Sequence, residues 1–159
     1  PFSLTDFGPS LFRERRNEEK IGMNVPSEAK EVLDFWFVES GPEKWFKKDD
    51  AFDNEVRERF WSVYRRAYDA ELNDWIETPE GTLALVIVLD QFPRNLFRGD
   101  ARAFATDPHA RILLQYALDK GFDKTLNPRQ KQFLYMPLQH SEDLADQELS
   151  VRLNATLDN

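Results

Sequence analysis

Seven apolar residues in a row, Leu83 to Leu89, are followed without a spacer by Asp90, Gln91, Arg94, Asn95 and Arg98. A stretch with no polar face has to be covered on every side. Val86, Ile87 and Val88 would suit a buried strand as well as a helix. Thr78-Pro79-Glu80 decides for helix, because it supplies a cap, the favoured first-position proline and an early acid. The sequence therefore predicts a helix from Pro79 to about Gln91, buried nearly all round. Pro93 denies the backbone a donor and disfavours helical geometry at Phe92, so a break belongs there, followed by a short turn through Phe97. Polar groups set directly after buried sequence must be satisfied by protein partners or by a ligand.

The remaining chain reads as further helices. Ser27 is expected to cap one that carries Val32, Leu33, Trp36 and Phe37 on one side and ends at Gly41-Pro42, with Trp45 and Phe46 as core anchors in the connector. Asp50 and Asp53 resemble a capping box for a helix whose stripe is Phe52, Val56, Phe60, Tyr64, Tyr68 and Leu72. Asp107-Pro108 repeats the cap-plus-proline signal, the stripe is Ala110, Leu113, Leu114, Ala117 and Leu118, and Gly121 is the stop. Asn127-Pro128 opens a shorter helix stopped by Pro137. Ser141 is expected to cap the last one, with Glu142 and Asp143 in its first turn and Leu144, Leu149, Leu153 and Leu157 along it. The fold class is all-α, antiparallel helical hairpins in a tetratricopeptide-like right-handed array, although the strict tetratricopeptide spacing is absent. Residues 1–26 read as a poorly ordered arm and 27–159 as one helical domain.

Composition narrows the function. A net charge of −8 disfavours nucleic acid and anionic membranes as partners. The absence of cysteine excludes disulfides, thiolate nucleophiles and thiolate-held metals. The longest apolar run is far short of the roughly 18–20 residues of a membrane span, and no stretch reads as a secretory signal, so a cytoplasmic location is expected. The chain begins at Pro1, which leaves an upstream targeting segment open.

Three readings compete for Asp90, Gln91, Arg94, Asn95 and Arg98. They are an ion-pair brace at the helix break, an anion or carboxylate site built from two guanidinium forks, and a catalytic Asp90 tuned by its arginines. The segment LQHSED puts His140 beside the expected start of the last helix, where a neutral imidazole can accept a proton, bind a metal or hydrogen-bond to backbone. No metal is expected: His109 lies on a different helix and no Glu-x-x-His pair exists. Cofactors are likewise not expected, since no glycine-rich phosphate loop occurs.

Taken together, TPEGTLALVIVLDQFPRNLFRGDARAFATD and LYMPLQHSEDLADQELSV resemble domain-of-unknown-function family 924. DFWF at Asp34–Phe37, Trp45-Phe46 and Phe52-Asp53 extend the likeness over about residues 30–155, with DQFPRN and HSED its most specific parts. The resemblance implies an all-helical, tetratricopeptide-like arrangement and no established activity. It also implies that the family continues past this chain's last helix with a second, Arg-Phe-Pro-His-Arg-Asn-like motif, so that half of a shared site lies beyond residue 159. The leading expectation is a helical-repeat-like binding module whose Asp90, Arg94, Asn95, Arg98, Asp107, His140 and Glu142 recognise a small anion or a peptide carboxylate. The alternatives are an enzyme of hydrolase type with Asp90 or His140 as general base, and a structural scaffold with an internal brace.

Overall fold

The structure is a computed structural model that describes residues 25–158. The arm expected over residues 1–26 lies almost wholly outside the described residues. Eight α-helices and five short 3-10 or π-helical segments follow one another, with no strand among the described residues. The α-helices are α1 (Ser27–Leu33), α2 (Pro42–Trp45), α3 (Asp50–Tyr68), α4 (Pro79–Asp90), α5 (Phe92–Leu96), α6 (Asp107–Lys120), α7 (Pro128–Gln139) and α8 (Leu144–Ala155).

Helix α4 is the axis of the fold. Thr78 Oγ1 accepts from the Gly81 amide at 2.9 Å, as the Thr-Pro start predicts. Every residue from Gly81 to Asp90 is buried, because α1, α3, α6 and α7 all pack on this one helix. Each fully buried Leu, Ile or Val here contributes roughly 1.5–3 kcal/mol, so this helix carries much of the hydrophobic stabilisation. An aromatic cluster closes one side: Phe35 stacks on Phe52 at 5.4 Å, Phe60 meets Phe92 at 5.0 Å, and Trp36 meets Phe133 edge-on at 5.6 Å.

Several local expectations are corrected. Helix α1 widens into a π-helical turn over Asp34–Glu39, marked by the Ser40 amide bonding to the Phe35 carbonyl, and this turns Phe35 as well as Trp36 into the core. Pro26, not Ser27, occupies the cap position of α1. Phe46 is 61% exposed and is no anchor, whereas Trp45 packs against the core and donates to the Trp36 carbonyl. Asp49 caps α3, with its carboxylate on the Phe52 amide, and this leaves Asp53 free for other work. Helix α3 ends at Tyr68, so Leu72 joins the core from the turn beyond it. Pro137 lies inside α7 rather than ending it. Asp143 caps α8, with Ser141 and Glu142 in the linker before it.

Candidate functional site

The break at Pro93 gathers the polar residues. In an unbroken helix the residue-93 amide would bond to the Leu89 carbonyl, but proline has no N–H to give. Thr106 takes that acceptor instead, with Oγ1 donating to Leu89 O at 2.6 Å. The next carbonyl, that of Asp90, receives a short bond from Arg94 Nη1, while the Arg94 amide turns to Gln91 O. Two backbone acceptors released by one proline thus fix Thr106, the start of α6, and the Arg94 guanidinium.

Around them lies the first network. Asp90 is fully buried; His140 Nδ1 is 2.8 Å from its Oδ1, and Gln91 Nε2 donates to its Oδ2 at 2.7 Å. Arg94 clamps Asp107 bidentately at 2.9 and 3.0 Å and stands 3.8 Å from Asp90 Oδ1. Asp107 is therefore not the cap of α6; Thr106 holds that position, and the Asp107 carboxylate is drawn sideways by the guanidinium. The expected setting of His140 is also corrected. It is the C-terminal cap residue of α7, not a neighbour of the first turn of α8.

A second network joins α3 to α5. Asn95 Nδ2 donates to Asp53 Oδ1 at 2.9 Å, and Arg98 adds bonds from Nε and Nη2 at 2.7 and 3.0 Å. Burial alone would push the Asp53 carboxyl up, but the bonds from Arg98 and Asn95, with the Arg98 charge, outweigh it and hold the group below its ordinary value.

Asp90, Asp107 and His140 can each turn one donor atom to within 4.8 Å of the others, a spacing that a metal ion could bridge. The donor set is already in use, however. His140 Nδ1 faces Asp90, and Arg94 supplies the positive charge beside both carboxylates. A cation would have to displace that guanidinium. No membrane-crossing helix exists among the described residues, none being long and apolar enough.

Residues 32–159 match the family described as bacterial protein of unknown function, DUF924. The chain belongs to that family. A solved structure of a protein of unknown function from Agrobacterium tumefaciens is similar to this DUF924 chain, with 42% identity and a TM-score of 0.80. The match covers 84% of this chain and 76% of that one. No curated protein matches it in sequence.

Within the DUF924 chain, the residues singled out in the sequence fall into three groups. Asp90, Arg94, Asp107 and His140 converge; Asn95 and Arg98 belong to the Asp53 network; Glu142 is exposed and makes no bond among the described residues. Asp53 and Thr106 were not singled out as site residues. Asp53 carried a usable signal, since it lies three residues before Val56 and next to Phe52, on the buried side of α3. Thr106 carried none, because its partner is a carbonyl 17 residues away.

Proposed function

We propose that the His140–Asp90 pair is a proton-transfer centre acting on a small polar substrate, with hydrolysis the reaction class it suits best. The observation that carries this reading is the 2.8 Å contact between His140 Nδ1 and the wholly buried Asp90. An ionised carboxylate only accepts, so Nδ1 holds the proton, and the lone pair of a neutral ring is left on Nε2. The ring is partly exposed, so a substrate can reach that nitrogen. Asp90 acts as a positioning residue, fixing tautomer and orientation as a buried acid does in other His–Asp pairs. Arg94 with Asp107, and Arg98 with Asn95 and Asp53, form the frame.

A second reading, recognition of a small anion or peptide carboxylate by Arg94 and Arg98, is favoured by the partial exposure of both guanidiniums. Each fork is already closed on a carboxylate, so a ligand there would use only the outward N–H groups or would open a bidentate pair. That costs affinity, which is why proton transfer is preferred. A brace with no ligand is the third reading.

The test is a panel of small ester, amide and phosphoester substrates, joined to long-range nitrogen–proton spectra of the imidazoles. A neutral ring protonated at Nδ1, with turnover falling by about 10²–10⁴ in His140→Gln, is the expected result. Unchanged turnover in both His140→Ala and Asp90→Asn would sink the proposal.

A further inference from the structure

A cleft of about 600 Å³ lies between α3 and the segment after α5 and shares no lining residue with the His140–Asp90 pair. Its volume is in the range of small-molecule sites, roughly 300–1,000 Å³. The lining includes Trp61, Leu96 and Phe97, with Arg57, Glu58 and Arg102 at its edges. Trp61 is 43% exposed and meets Phe97 edge-on at 5.6 Å. Arg102 covers the Phe97 ring at 4.6 Å, and its charge is balanced by Asp100.

The other two charges are differently placed. Arg57 donates to neutral acceptors, Asn54 Oδ1 at 2.8 Å and the Leu96 carbonyl at 3.1 Å, and forms no ion pair among the described residues. Its charge reaches Asp53 only at longer range. Two of its five N–H donors are used, so three remain. The Glu58 side chain makes no hydrogen bond or ion pair among the described residues, its backbone being part of α3. Going round α3, Trp61 falls between Arg57 and Glu58 in angle and one turn further along. On this side of α3 Trp61 thus has one cation and one anion as neighbours lining the same cleft, neither of them neutralised by an ion pair among the described residues.

We infer that this cleft binds a free amino acid with a flat apolar side chain, its carboxylate on Arg57, its ammonium on Glu58 and its side chain against Trp61 and Phe97. A dianion such as phosphate is disfavoured by Glu58, and a plain hydrocarbon would leave both charges unused. Arg57 is pre-positioned by the Leu96 carbonyl, which lowers the ordering cost of binding.

L-Phenylalanine is the probe, titrated into the isotope-labelled full chain while following the indole N–H of Trp61, assigned by Trp61→Phe. Phenylacetate lacks the ammonium and phenethylamine the carboxylate, and each is expected to bind about tenfold more weakly or worse. Glu58→Gln, at an exposed position with no structural bond, keeps the fold and should weaken L-phenylalanine to the level of phenylacetate. Arg57→Gln should weaken it to the level of phenethylamine, with a thermal melt reporting any loosening of its Leu96 contact. No saturable shift up to about 10 mM, where only very weak association remains to be detected, would overturn the inference. Equal binding of the two partial ligands and the amino acid, or undiminished binding in Glu58→Gln, would overturn it as well.

Discussion

Removing the Arg94 charge is the sharpest probe of the frame. In Arg94→Met the volume is roughly kept, but the carboxylates of Asp90 and Asp107 lose the cation beside them. Asp90 is wholly buried and Asp107 is 6% exposed, so water cannot fully replace it. Breaking a buried pair by deleting one partner costs about 3–5 kcal/mol. Arg94 is 23% exposed, which favours the lower end, about 3 kcal/mol. For a domain of this size that is a fall in Tm of roughly 6–12 °C. Urea unfolding at neutral pH measures it, with Asp107→Asn and the double variant completing a cycle. Most of the loss should return in the double variant, because the stranded charge is gone. A loss below about 1 kcal/mol, or no recovery in the double variant, would refute the argument that Arg94 neutralises buried charge.

The second network predicts a pH dependence. Asp53 is held below its unfolded value, so its stabilisation is complete above pH about 4 and is lost as pH falls towards the folded value. Asp53→Asn should therefore be less stable than wild type at pH 7, with the difference shrinking in acid; a constant difference across an acid titration contradicts the assignment. At the start of α4, a Cβ on Gly81 would lie 2.1 Å from the Trp75 carbonyl oxygen. Gly81→Ala should then destabilise by about 1–3 kcal/mol, against the helix-propensity gain of about 1 kcal/mol, as read by thermal melting. Thr106→Val strands the Leu89 carbonyl and should cost about 1–3 kcal/mol. The same change in a Pro93→Ala background should cost less, since an alanine amide can take over that acceptor, and an equal cost in both backgrounds would deny the role given to Pro93.

How far the sequence could be read depended on whether the decisive interaction was local. The start of α4 was legible because Thr78, Pro79 and the apolar run all act within a few residues, and the stop at Gly121 was legible because its φ of 72° suits glycine. Asp107 misled for the opposite reason. An acid before a proline is a good cap by local rules, yet the bidentate Arg94 pair outbids one backbone amide. His140 is separated from Asp90 by 50 residues and Asp53 from Asn95 by 42, so no spacing along the chain announces either contact. The π-helical turn at Asp34–Glu39 had no marker either, since DFWF has no glycine or proline to signal a change of period.

One residue connects the legible part to the illegible part. Pro93 can be read from sequence as a helix break, but a break is also a release of acceptors, and those acceptors determine what comes near. Leu89 O recruits Thr106 and with it the start of α6; Asp90 O recruits the Arg94 side chain, which then meets Asp107 as the first residue of that helix. The same end of α4 presents the Asp90 carboxylate to His140 at the close of α7. Three helices therefore meet their polar partners where the central helix runs out of its own. This explains why the polar cluster follows the most apolar run in the chain: only a helix buried on all sides leaves its terminal acceptors beyond the reach of water, and so compels the protein to satisfy them itself.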